Sequence, residues 1–196
     1  MDVWNLDISL RGERDYVQSS DLFTSLESFA RKNFSALAYV QKIVLRRKSY
    51  RAVEAHFAQT PSALGTFELR EGQHVTTGWL IETPRSITCR KPFDEAPVIR
   101  AAAVQAGHAQ LPSPVPGYTA FDQVIILSKI IGAQIAAGTW VFSRADLDAP
   151  LREDIPIELV LSQVILSRCQ ILEIRQGDKA VGRAQGVLQP FKEDSR

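Results

Sequence analysis

The sequence predicts an α+β fold built twice over, with two antiparallel sheets each wrapped around one apolar helix. Three observations carry that reading. The segments Tyr16 to Lys32 and Gly117 to Ala137 have the length and apolar content of buried helices, strand-like runs with glycine turns follow each, and the second half repeats the element order of the first. At 196 residues, 45% of them hydrophobic, the chain is long enough for a packed core.

Residues Val3 to Leu10 alternate Val3, Asn5, Asp7 and Ser9 with Trp4, Leu6, Ile8 and Leu10, which reads as one strand with one apolar face. From Tyr16 to Lys32 the residues Leu22, Phe23, Leu26, Phe29 and Ala30 recur at helical spacing, and Ser19, Ser20 and Asp21 stand where a first turn is capped. Leu37 to Phe57 is rich in Val, Ile, Tyr and Phe. Gly65 to Thr83 holds two strand-like runs joined around Glu71-Gly72-Gln73. The first half therefore reads β-α-β-β-β.

The second half begins with a strand-like Val98 to Val104 and a loop containing Pro112, Pro114 and Pro116. In Gly117 to Ala137 the β-branched Val124, Ile125, Ile126, Ile130, Ile131 and Ile135 fit a strand. Its length, the prolines before it and the polar Asp122, Gln123, Ser128 and Lys129 fit a helix buried on nearly all sides, and we read it as helix. Strands follow over Thr139 to Ala145 and Ile157 to Ile165, then a hairpin over Cys169 to Leu188 turning at Gln176-Gly177-Asp178. Trp4, Trp79 and Trp140 are expected in the core.

Glu68-Leu69-Arg70-Glu71-Gly72-Gln73 aligns with Glu173-Ile174-Arg175-Gln176-Gly177-Asp178 at an offset of 105 (from 68 to 173), with three of six positions identical. Asp21-Leu22-Phe23 and Leu26 fall on Asp122-Gln123-Val124 and Leu127 at an offset of 101 (from 21 to 122). Any two hairpins with a glycine turn share part of this likeness, but the common order of helix and hairpin favours two copies. The predicted division is a first repeat over residues 1–85, a second over 86–190 and a polar tail over 191–196.

Charge and composition exclude several function classes. Lys plus Arg number 23 against 22 Asp plus Glu, so a net charge of +1 gives no long-range attraction to nucleic acid or to an anionic membrane. Cys89 and Cys169 with His56, His74 and His108 do not form a set of zinc-ligand spacing, and no metal or other cofactor is expected. The first residues carry four acidic side chains and no apolar core of a signal peptide, and Val124 to Ala137 is interrupted by Lys129 and too short to span a bilayer. A soluble, cytoplasmic protein with reduced thiols is the expectation.

The candidate chemistry lies in His108-Ala-Gln-Leu-Pro112-Ser-Pro114-Val-Pro116-Gly117-Tyr118-Thr-Ala-Phe-Asp122, a histidine before a proline-rich turn and a carboxylate in the first turns of an apolar helix. With His108, Pro116-Gly117 and Asp122 at these spacings, the chain resembles the hotdog-fold 3-hydroxyacyl-(acyl carrier protein) dehydratases. The run Ala145 to Glu158 is similar to the strand segment in which that family carries Pro-Val-x-Pro-Gly-Asp. The resemblance covers roughly Pro97 to Leu188, and the first half joins it through its duplication, which makes the chain a double hotdog. Ala109-Gln110-Leu111 stands where the family has Phe-Pro-Gly or similar, and Arg152-Glu153-Asp154 replaces the Pro-Gly-Asp turn. Fold is expected to survive these departures better than activity.

The resemblance implies an acyl thioester as substrate, carried on acyl carrier protein or coenzyme A in fatty-acid or polyketide-type metabolism. It implies His108 and a carboxylate, Asp21 or Asp122, as catalytic residues, and Pro116, Gly117 and Tyr118 as substrate-binding residues. In this picture the Gly117 N–H, at a helix N-terminus, polarises the thioester carbonyl. Because the family's histidine and acid come from different hotdog units, His108 is expected opposite Asp21, with Asp122 in a degenerate second site opposite Asp7. Carboxylates are favoured near helix starts by the dipole alone, so the reading rests on the constellation. The basic cluster Lys42, Arg46, Arg47, Lys48 and Arg51 fits an acidic carrier protein or a pantetheine phosphate, although a solvated strand face is the plainer account. His56 and His74 are read as strand residues without acidic partners nearby. The runner-up functions are a hotdog acyl-thioesterase, in which a carboxylate activates water, and an inactive acyl-binding protein. Association of two copies into a homodimer is left open.

Overall fold

A computed structural model describes residues 3–189, so the expected polar tail over 191–196 lies outside the described residues. The chain divides into two compact units, one over Met1–Asp94 with Ala145–Pro150 and the other over Glu95–Arg144 with Leu151–Arg196.

The first unit contains β1 (Val3–Asn5), β2 (Leu10–Arg11), α1 (Ser19–Asn33), β3 (Tyr39–Leu45), β4 (Val53–His56), β5 (Gly65–Glu71), β6 (His74–Glu82) and β7 (Arg90–Lys91). Its longer strands follow the order β1-β4-β6-β5-β3, each pair antiparallel. The two-period alternation sends Gly65, Phe67 and Leu69 of β5 inward and Thr66, Glu68 and Arg70 outward, and α1 supplies Leu22, Phe23, Leu26, Phe29 and Ala30 to the same core. The strand expected over Val3 to Leu10 is broken. Its ladder with β4 ends at Asn5, after which the Asp7 N–H donates to Ser25 Oγ of α1 at 2.9 Å and the Leu10 N–H donates to the Cys89 carbonyl. Ser19, Ser20 and Asp21 are inside the helix, whose N-cap is Gln18 with no side-chain cap bond. The run Leu37 to Phe57 is two strands rather than one, because the segment between them is tied down by buried Ser49, which donates to Glu82 at 2.9 Å.

The second unit contains α2 (Ala96–Ala101), β8 (Ala103–Gln105), β9 (His108–Gln110), α3 (Ala120–Ile135), β10 (Thr139–Leu147), β11 (Ile157–Ile165), β12 (Cys169–Gln176) and β13 (Lys179–Gln189). Its strands follow the order β10-β13-β12-β11-β9-β8. The expected strand Val98 to Val104 is half helix, because Pro97 falls in the first turn, where its fixed φ fits and its missing N–H costs nothing; only Ala103–Gln105 is extended. Gly117 to Ala137 is helical from Ala120, and its β-branched residues are accommodated by burial on most sides, with Val124, Leu127 and Ile131 fully buried. Ala109, Leu159, Leu172 and Ile174 complete this core.

Both glycine-turn hairpins form, with Gly72 at φ +58° and Gly177 at φ +59°. They take different places in their sheets. In the first unit the leading hairpin strand, β5, lies beside β3, whereas in the second the trailing strand, β13, lies beside β10. The repeat of Glu68 to Gln73 at Glu173 to Asp178 therefore marks the same turn chemistry and not the same sheet position. Of the three tryptophans expected in the core, Trp140 is buried while Trp4 and Trp79 are partly exposed. Among the described residues no helix is long and apolar enough to cross a membrane.

Each unit has one glycine that receives an aromatic ring. A Cβ on Gly78 would stand 2.1 Å from the ring of Phe67, its cross-strand partner, and one on Gly132 of α3 would stand 2.5 Å from the Trp140 ring. Gly132→Ala is expected to destabilise the protein by about 1–3 kcal/mol although alanine is the better helix former by about 1 kcal/mol, since overpacking outweighs propensity. Denaturation midpoints measure this; a stabilised Gly132→Ala variant would refute the packing argument.

Candidate functional site

His108 opens β9 and pairs with Val160 of β11. The alternation that turns Ala109 into the core turns His108 and Gln110 to the other face. Glu158 pairs with Gln110 and so shares that face one diagonal from His108, near enough that His108 Nε2 lies 2.6 Å from Glu158 Oε1. On the other side of Glu158 stands Arg175 of β12, its cross-strand partner, with Nη1 at 4.0 Å from Oε2. Arg175 Nε also donates to Glu173 at 2.7 Å. That hydrogen bond, then the attraction of Glu173 and the weaker one of Glu158, holds the guanidinium above its ordinary pKa. A histidine, two carboxylates and an arginine thus form a polar ladder across three strands, with the His108 ring 23% exposed.

The segment after His108 leads into α3. Pro116 and Gly117 are exposed in a turn, with Gly117 at φ +86°, and the Tyr118 N–H donates to the Val115 carbonyl. The resemblance implied that Gly117 stands at the helix N-terminus; the helix instead begins at Ala120 with Thr119 as its N-cap, so Gly117 lies in the turn before it. The end of α3 is closed by side chains. Thr119 caps it, and buried Asp122 accepts from the Thr119 N–H at 3.0 Å and from the Thr119 hydroxyl at 2.9 Å, a capping box. Glu153 accepts from the Ala120 N–H at 2.7 Å. Gln123, also buried, accepts from the Val115 N–H and fixes the proline-rich turn on the helix.

Asp21 lies near the start of α1 in the first unit, where Arg11 contacts its Oδ1 through Nε at 2.7 Å and Nη2 at 2.6 Å. The guanidinium is in turn 4.7 Å from the ring centre of Phe93. In the basic cluster, Lys42 pairs with Glu68 at 2.9 Å and Arg47 with Glu82 at 3.6 Å. Arg51 donates to the Pro84 carbonyl at 3.1 Å, and Lys48 is 4.3 Å from the ring centre of Tyr16. His56 does have a carboxylate, Glu54 at 3.2 Å, because residues two apart on a strand share a face.

Sequence reasoning missed Glu158, Glu153, Arg175 and Arg11. Glu158 alternates with apolar Ile157 and Leu159, which marks it as outward-facing, but its neighbour across the sheet depends on a register that the sequence does not carry.

No family model matches the chain, and no curated protein matches it. Among solved structures, the dehydratase domain of PpsC from Mycobacterium tuberculosis, in complex with C12:1-CoA, is similar over 95% of this chain and 93% of that one, with a TM-score of 0.53 and 11% identity. The tesB protein of Mycobacterium avium subsp. paratuberculosis is similar over 96% and 94%, with a TM-score of 0.50 and 7% identity. The fold is of the hotdog type. At these identities the likeness is one of fold, in keeping with mostly antiparallel sheet and few helices.

The Arg11–Asp21 contact yields a stability prediction. Both side chains are largely buried, at 14% and 10% exposure, so Asp21→Asn, which removes the charge from one partner of this ion pair, is expected to cost about 1–3 kcal/mol. Denaturation of Asp21→Asn against the parent measures it; an unchanged midpoint would show the pair to be energetically idle.

Proposed function

We propose that this hotdog protein acts on acyl thioesters as a dehydratase-like enzyme, removing water from a 3-hydroxyacyl thioester carried on acyl carrier protein or coenzyme A. The single observation that carries the reading is His108, which opens the segment His108 to Asp122 that resembles the dehydratase motif and whose ring meets the Glu158 carboxylate at 2.6 Å. The likeness of the fold to a dehydratase domain seen with C12:1-CoA supports it. The proposal includes the internal duplication, with hotdog repeats over 1–85 and 86–190.

Elimination needs a base for the C2 proton and an acid for the departing hydroxyl, and an imidazole changes protonation near neutral pH. In the proposed reaction His108 takes the C2 proton, the electron pair of that bond becomes the C2–C3 double bond, and the C3–O bond breaks. The oxygen leaves as water with a proton from a carboxylic acid, for which Asp21 and Asp122 are the candidates, and solvent returns the proton from imidazolium to carboxylate. The Asp122 carboxylate already accepts two hydrogen bonds from Thr119, which ties it to the helix end.

A second reading, an acyl-thioesterase, is favoured by the similarity to the tesB protein. It uses a carboxylate to activate water and releases free thiol.

Turnover of short and medium 3-hydroxyacyl and enoyl thioesters, followed by enoyl absorbance and by thiol release, separates the readings. His108→Ala is expected to lower enoyl interconversion by about 10²–10⁴-fold with the fold intact. Asp21→Asn and Asp122→Asn in parallel identify the acid as the variant with the larger loss after correction for folding. Thiol release in place of enoyl interconversion would move the assignment to thioesterase, and silence on every substrate would leave an acyl-binding protein.

A further inference from the structure

We infer that Glu158 is a positioning residue that holds the His108 ring by Nε2, so that Nδ1 is the nitrogen that meets the reactant. The inference deepens the dehydratase reading and rests on it for the identity of the reaction. Glu158 belongs neither to the motif segment that follows His108 nor to the carboxylates considered from the sequence.

The geometry is specific. The distance between His108 Nε2 and Glu158 Oε1 is 2.6 Å, and because an ionised carboxylate only accepts, the ring nitrogen is assigned as the donor of a charge-assisted hydrogen bond. A neutral imidazole carries one N–H, so a donating Nε2 leaves Nδ1 as the lone-pair nitrogen, and a base must present a lone pair. Among the described residues no other hydrogen bond engages the ring. The carboxylate is itself oriented: Oε2 faces Arg175 Nη1 at 4.0 Å, and Arg175 is steadied by Glu173. The groups facing His108 from the strands beyond it are therefore Glu158 on β11 and Arg175 with Glu173 on β12, while its partner on β8 is the uncharged Gln105.

The arrangement also has a chemical consequence. When Nδ1 takes the C2 proton, the ring becomes a cation bonded to a carboxylate, which stabilises the charge that develops in that step. The proton comes from the C2–H bond, whose electrons form the new double bond, and no proton needs to move to Glu158.

The test joins a spectroscopic readout to a kinetic one. In protein labelled with ¹⁵N at histidine, the Nε2 proton of His108 is expected as a downfield, slowly exchanging signal that Glu158→Ala abolishes and Glu158→Gln, which still accepts, retains. Addition of a 3-hydroxyacyl thioester is expected to shift the Nδ1 resonance more than Nε2. Glu158→Ala is expected to lower kcat by about 10²-fold with little change in KM, and Glu158→Gln to keep most of the activity. A wild-type protein that turns over thioester but lacks the Nε2 proton signal, or that shifts Nε2 instead, overturns the inference and leaves the dehydratase reading standing. A protein with the signal intact but without enoyl turnover overturns the dehydratase reading, and with it the role of Nδ1 as base.

Discussion

The second unit depends on the burial of α3 against strands whose side chains alternate. Ala109 of β9, Leu159 of β11 and Leu172 and Ile174 of β12 are fully buried in the core that this helix fills with Val124, Leu127 and Ile131. Because successive strand residues point to opposite faces, fixing Ala109 and Leu159 inward fixes His108 and Glu158 outward. A one-residue slip of β9 would bury the histidine and expose the alanine at once. The His108–Glu158 contact is thus a by-product of hydrophobic register, set by apolar residues buried in the core. A pair placed this way needs no dedicated loop to position it.

The start of α3 obeys a different constraint. An apolar helix that buries its first turn must satisfy its leading N–H groups, and here Thr119 and Asp122 close a capping box while Glu153 takes the Ala120 N–H. Ligand carbonyls compete poorly for donors that a carboxylate already holds at 2.7 Å. Arg152-Glu153-Asp154, the same run that departs from the family's Pro-Gly-Asp turn, supplies that carboxylate, so the departure and the closed helix end are one feature.

Much of the fold was legible in the sequence because it depends on local patterns. The span Ile157–Ile165, the two glycine-turn hairpins and the apolar helix after the prolines all follow from periodicity and turn residues. The errors fall where a long-range bond overrides a local pattern. The Asp7 N–H, given to Ser25, and the Leu10 N–H, given to Cys89, end a strand that its own alternation would continue. Glu158 was invisible as a partner for His108 for the same reason: fifty positions separate them in the chain and one diagonal separates them in the sheet. The Glu54–His56 contact was readable, since alternate residues on a strand share a face.

The hairpins show why similarity at the level of motif and similarity at the level of place must be argued separately. Glu-x-Arg-x-Gly turns the chain in both units, with a glycine at positive φ in each, yet the leading strand neighbours the post-helix strand in one unit and the trailing strand does so in the other. Turn chemistry is set by a few residues, whereas the place of a hairpin in its sheet is set by which apolar faces it completes. The same separation governs function. A hotdog likeness at 11% identity fixes where the sheet and helix lie, but the groups outside the core, His108, Glu158 and Arg175, are free to differ from one such protein to the next. What sets this chain apart on such a scaffold therefore lies in those outward residues, among which Glu158 meets the His108 imidazole at one nitrogen, Nε2, and faces Arg175 with its other oxygen.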